Sequence, residues 1–97
     1  MIWIIVCKDK KDSLSKRLAV IDKHREYLSL NPIKTLISGP LTHNDGKTMN
    51  GSFFMVEADE ISEIYEFQKN DPLFRADVWE EVFISPFSKI VDNLSTK

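Results

Sequence analysis

The chain has two histidines, His24 and His43, and one cysteine, Cys7. His24 sits in "KRLAVIDKHREYL", residues 16–28, seven positions after Arg17 and immediately before Arg25. An imidazole works as a general base or acid when a second group fixes its tautomer and stabilises the imidazolium, most often a carboxylate on the ring's far nitrogen. The candidates for that second group are Asp71 and Asp77 in "NDPLFRAD". Asp71 stands directly before Pro72, the order expected of an aspartate N-cap with proline in the first helical position. Capping a helix and partnering a histidine are compatible duties, because a carboxylate has two oxygens. The competing reading of His24 is a half-buried ring bonded to a backbone carbonyl. Cys7, His24 and His43 lack metal-ligand spacing, so no metal is assigned. His43 reads as a turn residue. Ser13, Ser15 and Ser38 lie in no nucleophile-elbow context, and no glycine-rich loop is present to cradle a phosphate. Gly39-Pro40, following Ser38, either turns the chain or lets a ligand approach the backbone.

These residues depend on the elements that carry them. "IWIIVC", Ile2 to Cys7, is short, β-branched and apolar, as expected of a central strand covered on both faces. The "KDKKD" run that follows, Lys8 to Asp12, reads as a solvated loop. Asp12 or Ser13 then caps a helix running to about Leu30, with an inward stripe of Leu14, Leu18, Ile21 and Leu28. At roughly 100° per residue, positions seven apart nearly coincide, so Arg17 and His24 share one edge of that stripe, facing the boundary of core and solvent. Arg25 falls within the stripe, and its guanidinium must escape or find a partner. Asn31-Pro32 ends the helix.

"IKTLISGPL", Ile33 to Leu41, is expected as a second strand ending at Gly39-Pro40. Thr42 to Gly51 contains two turn dipeptides, Asp45-Gly46 and Asn50-Gly51, and reads as a long hairpin connection. "SFFMVEA", Ser52 to Ala58, gives a third strand. "DEISEIYEFQKN" gives a second helix, with Ile61, Ile64 and Tyr65 at helical spacing. "VWEEVFISPF", Val78 to Phe87, gives a fourth strand before a polar tail. The order β-α-β-β-α-β with right-handed crossovers is the ferredoxin-like arrangement: an α+β fold with an antiparallel four-stranded sheet and both helices on one face. Two helices cover only one face of such a sheet. Trp3, Phe53, Phe54, Trp79 and Phe83 supply more large side chains than that face needs, which predicts a homodimer packed through the sheets.

Composition narrows the function classes. Ninety-seven residues, 42% hydrophobic and 29% charged, make one globular domain over residues 1–97. A formal charge of −2 without a concentrated basic stripe argues against a nucleic-acid surface. "MIWIIVC" lacks a basic n-region and a cleavage site, and no stretch approaches the roughly 20 apolar residues of a membrane span. One cysteine allows no internal disulfide. A cytoplasmic protein is expected.

Across nearly its whole length the sequence resembles the YciI-like family of the dimeric α+β-barrel superfamily. The resemblance is carried by "KDKKDSLSKRL", "KHREYL", "ISGPL" and "FFMVEADEISEIYEFQKNDPLFRADVWEEVFISPFSKI". Within these, the telling pieces are "KRL" seven residues ahead of the histidine, Ser38-Gly39-Pro40, "NDP" after the second helix, and Ser85-Pro86-Phe87 after the last strand. The resemblance implies dimerisation through the sheet and an active site centred on a histidine–aspartate pair, mapping onto His24 and Asp71, with Arg17 matching the family's upstream arginine. A related member removes chloride from a chlorinated hydroxyquinol, and structural cousins include muconolactone isomerases and cofactor-free monooxygenases. The long Thr42–Gly51 connection departs from many relatives.

The expectation is therefore a cofactor-free enzyme acting on a small anionic or phenolic molecule by proton abstraction, with elimination or isomerisation. His24 and Asp71 would be catalytic. Arg17, Ser38, Gly39 and Pro40 would bind substrate, with Arg17 holding a carboxylate or oxyanion. The alternatives are a non-catalytic dimeric ligand-binding protein or a purely structural interaction domain.

Overall fold

The computed structural model describes residues 1–94. The elements are β1 (Ile2–Asp9), α1 (Leu14–Ser29), β2 (Lys34–Thr42), β3 (Met49–Glu57), α2 (Ile61–Lys69), α3 (Pro72–Arg75) and β4 (Trp79–Phe87). The four strands form one sheet in the order β2-β3-β1-β4, with every neighbouring pair antiparallel. This is the ferredoxin-like α+β arrangement, with the short α3 added between α2 and β4.

Strand parity divides the side chains between two faces. Trp3, Ile5 and Cys7 of β1, Phe54 and Val56 of β3, and Trp79 of β4 are buried, together with Ile64 and Phe67 of α2 and Leu73 of α3. Phe54 centres this core. Its ring meets Phe67 edge-on at 5.3 Å and Trp79 at 6.4 Å between centroids. The opposite parity, including Ile2, Ile4, Val6, Phe53 and Met55, is only half-buried, and Phe83 is exposed. β1 is thus central in the sheet, but the helices cover one of its faces and not both.

Several local expectations change. Gly39-Pro40 lies inside β2 and forms no turn, with Pro40 paired to Ser52, whereas Pro86 lies in β4 as the Val78–Phe87 strand expected, paired to Trp3. Both strands are sheet edges, the positions at which a residue without an N–H is tolerated. The hairpin loop is also shorter than expected, because Asn50 and Gly51 belong to β3. Asp45 organises the loop by accepting from the backbone N–H groups of Lys47 and Thr48, both at 2.9 Å, and from the Thr48 hydroxyl at 2.6 Å. These bonds hold its carboxyl down at about 2. Gly51 is required by close approach: a Cβ there would lie 2.4 Å from the Cys7 carbonyl oxygen. At the end of α1, Asn31 takes a left-handed conformation (φ 54°) and donates to Leu28 O, so the helix stops through an αL cap as well as through Pro32. The tail after β4 is irregular as far as Leu94. It is not uniformly polar, since it exposes Ile90, Val91 and Leu94.

The inward face of α1 also differs from the expected stripe. Leu14 and Leu18 are exposed, and the buried residues of the helix are Arg17 and His24. Val20, Tyr27 and Leu28 pack beside them against the core. In α2 the buried pair is Ile64 and Phe67, while Tyr65 is exposed and Ile61 borderline.

Candidate active site

Two polar residues at the centre of a buried helix face need partners, because an unpaired polar group in the interior is costly. Each finds a carboxylate. His24 Nδ1 lies 2.8 Å from Asp71 Oδ1 and 3.0 Å from Oδ2. Asp71 is fully buried. It is the N-cap of α3, with Oδ1 accepting the Leu73 backbone N–H at 2.8 Å and Pro72 filling the first turn. The carboxylate is thus aimed by the main chain. An acceptor held on Nδ1 places that nitrogen's proton between ring and acid, leaving Nε2 for a ligand. Asp77, the other candidate partner, is exposed and paired with Lys10. The backbone-carbonyl alternative for His24 is not the arrangement found.

Arg17 is the second buried group, 1% exposed. It does not snorkel. Its Nε and Nη2 donate to Asp9 Oδ2 and Oδ1 at 2.7 and 2.8 Å, and Nη2 also donates to Ser52 Oγ at 2.8 Å. Asp9 comes from "KDKKD", read as a solvated loop, yet its side chain is only 5% exposed. Asp9 and Ser52 are site-supporting residues that the sequence reading missed. The signal was parity: Asp9 continues the inward series Trp3, Ile5, Cys7, and Ser52 continues Phe54 and Val56. A polar residue in an inward series implies a buried partner.

Cys7 sits among these charges. Burial, and then the nearby negative charge of Asp71, push its thiol far above the ordinary value. It is a protonated packing group and not a nucleophile.

A pocket of about 170 Å³ opens between α1 and the helix-side surface of β2. Arg17 and His24 lie on its α1 side, and Ser38, Gly39 and Pro40 form the facing wall, so the structure brings together these five residues singled out from sequence. Asp71 stands behind His24, bonded to it. Ile21, Leu28, Met49 and Phe54 supply apolar lining, and Phe54 meets the His24 ring edge-on at 6.2 Å. Arg25 also lines the pocket. His43 does not: it is exposed in the β2–β3 hairpin. A wider, shallower groove of about 690 Å³ between α2 and residues 32–34 contains no histidine. Among the described residues, no group of three or more His, Cys, Asp and Glu side chains is placed to hold a metal ion.

Residues 1–88 match the model of the YCII-related domain. The chain belongs to the YCII-related family. Among curated relatives it is similar to Protein YciI of Escherichia coli O6:H1, with 31% identity over 97 residues that cover 93% of this chain and 99% of the relative. Protein YciI of Shigella flexneri matches to the same extent. Among solved structures it is similar to the 5-chloro-2-hydroxyhydroquinone dehydrochlorinase TftG of Burkholderia phenoliruptrix, in complex with 2,5-dihydroxybenzoquinone. That match has TM-score 0.82 and 30% identity, covering 91% of this chain and 94% of the other. An antibiotic biosynthesis monooxygenase at TM-score 0.57 and 11% identity, covering 94% and 100% of the two chains, shares the fold alone. The pocket of this YCII-related chain is lined by one imidazole backed by a buried acid, one arginine already paired and a second, exposed arginine.

Proposed function

We propose that this YCII-related protein is a cofactor-free enzyme in which His24 and Asp71 carry out general acid–base chemistry on a single-ring phenolic or anionic molecule. The observation that carries the reading is the buried Asp71 carboxylate, aimed at His24 by a backbone N–H, behind a pocket open to ligands. Size supports a ring of this class: a cavity of about 150 Å³ is enough to bind benzene, and this pocket holds about 170 Å³. The solved relative that acts on a chlorinated hydroxyhydroquinone supports the chemical class.

In this reading Nε2 takes the proton from a ring hydroxyl. The freed electron pair closes a carbonyl, and the ring accepts the same proton at a carbon, which becomes tetrahedral. Isomerisation ends there. Where that carbon carries an anionic leaving group, Nε2 takes a second hydroxyl proton, a second carbonyl closes and the electron pair expels the substituent. A proton and an anion leave, and no oxidant is needed. Asp71 keeps the Nδ1 proton in place and stabilises the imidazolium. Ser38 and the backbone of Gly39-Pro40 border the ring. The test is conversion of a chlorinated hydroxyquinol without oxygen, followed by quinone absorbance and chloride release, with the unchlorinated hydroxyquinol as the control that should give no quinone. His24→Ala is expected to lower the rate by about 10² to 10⁴ with the fold retained. A variant that keeps its activity and loses only thermal stability would leave His24 a structural residue. Ligand binding without product from any candidate would make the pocket a binding site only.

We also propose that a second copy of the chain covers the open sheet face, supported by the exposure of Phe83 (59%) and Phe87 (40%) beside the half-buried Ile4 and Val6. Sedimentation should show a dimer at micromolar concentration, and Phe83→Asp should shift it toward monomer; a wild-type monomer throughout would exclude this. Among the described residues no helix is long and apolar enough to cross a membrane. We place the protein in the cytoplasm, where its unpaired Cys7 would stay reduced.

A further inference from the structure

Arg17 is the arginine that the sequence puts forward to hold a substrate anion, yet its charge is already answered. Asp9 takes two of its N–H groups in a pair nearly sealed from water, and Ser52 takes a third bond. A second guanidinium borders the same pocket without such a commitment. Arg25 is 66% exposed, and its partner Asp22, 3.7 Å away, is 95% exposed. An ion pair of that kind contributes little and breaks at small cost.

We propose that Arg25 supplies the charge that recognises the anionic substituent of the ligand; this rests on the single-ring reading of the pocket given above. The helix geometry supports it. Arg25 is four residues after Ile21 and three before Leu28, so the three share one side of α1. All three line the pocket, while Arg17 and His24 occupy the deeply buried face of the same helix. At this spacing Ile21 and Leu28 flank Arg25 on the helix, and its 66% exposure leaves the planar fork of donors on the solvent side of the pocket. Such a fork matches a carboxylate, or two adjacent ring oxygens, in two parallel bonds. The pocket then has an electrically balanced floor, Arg17 with Asp9, a proton-handling group in its wall, and a cationic lip. It selects ionised single rings over neutral ones.

The experiment compares wild type, Arg25→Ala and Arg25→Lys by titration calorimetry with two probes: 2,5-dihydroxybenzoquinone, which is ionised at neutral pH, and hydroquinone, which is neutral. The His24 ring resonances are followed by NMR in the same titrations. Arg25→Ala is expected to weaken the anionic probe about tenfold and to leave hydroquinone within about twofold, with an unchanged melting curve. Wild-type affinity for the anion should fall with added salt, because the lip is solvent-exposed. Arg25→Ala should lose that dependence and Arg25→Lys should keep part of it. Equal affinity of wild type and Arg25→Ala for the anion overturns the inference, and the ring-binding reading survives if His24 still responds to the probe. Failure of both probes to move the His24 resonances in wild type overturns the reading and the inference together.

Discussion

Replacing Asp71 by asparagine exchanges one carboxylate oxygen for an amide NH₂ at almost constant volume. The Leu73 N–H, 2.8 Å from Oδ1, needs an acceptor, so the amide oxygen stays on that side. The NH₂ then occupies the Oδ2 position, 3.0 Å from His24 Nδ1, while the amide oxygen keeps its place 2.8 Å from the same nitrogen. That oxygen is neutral and shared with the Leu73 N–H, and a donor beside a protonated Nδ1 is unfavourable, so the balance shifts toward the ring with its proton on Nε2. A neutral imidazole protonated at Nε2 has no lone pair there to accept a proton. The same exchange in serine-protease triads lowers kcat by about 10⁴, and a loss of about 10² to 10⁴ is expected here. The fold should suffer much less. The helix cap survives, and the loss is the difference between a charge-assisted and a neutral hydrogen bond, about 1 kcal/mol. For a domain of this size that lowers Tm by about 4 to 8 °C. Asp71→Ala removes the cap as well, about 0.5 to 2 kcal/mol, and leaves a buried ring nitrogen unpaired, about 1 to 3 kcal/mol, so it should melt well below the asparagine variant. The tautomer is read from ¹⁵N shifts of the His24 ring and the stability by calorimetry. An asparagine variant whose ring keeps its proton on Nδ1 and whose activity is intact would refute the reasoning.

Other consequences are open to equally direct measurement. Arg17→Ala strands Asp9 in a nearly dry site and should cost about 3 to 5 kcal/mol; adding Asp9→Asn should recover part of that in a double-mutant cycle, and strictly additive losses would contradict the pairing. Cys7 should resist thiol reagents in the native state and react only at the rate of unfolding, since burial keeps its thiol protonated. Above the ordinary thiol value of 9.0, the unfolded chain releases this proton while the native chain keeps it. Stability is therefore full below that pH and declines as pH rises past it, by up to about 1.4 kcal/mol per pH unit. Cys7→Ala should decline less steeply, and identical pH profiles for the two proteins would count against a buried, protonated thiol.

The order of elements was readable because each apolar run is closed by a local signal: the charged run after β1, Asn31-Pro32 after α1, Asp45-Gly46 in the hairpin, Asp71-Pro72 at α3. The end of β2 at Gly39-Pro40 was misread because proline marks a turn in sequence, whereas an edge strand can accommodate it. Only the three-dimensional sheet order shows which strands are edges. The face of α1 was misjudged for a different reason. Sorting by hydropathy turns leucines inward, but here Leu14 and Leu18 face out while Arg17 and His24 are buried. The competing term was the pair of carboxylates arriving from β1 and from the start of α3, remote positions that helical periodicity cannot foresee. Asp71 was distinguishable from Asp77 through its proline and through the family resemblance. Asp9 was hidden by its lysine neighbours, although its parity with Trp3, Ile5 and Cys7 was there to be counted.

The acid behind His24 caps a helix of only four residues, and this ties the imidazole's angle to main-chain geometry. Loop exchanges on the solvent side of α2 should leave the imidazole undisturbed. Insertion or deletion of a single residue between Asn70 and Leu73 would rotate the acid away even with every side chain of the pocket intact. An engineer wishing to retune this protein therefore has wide latitude in the walls and almost none in that one turn of backbone.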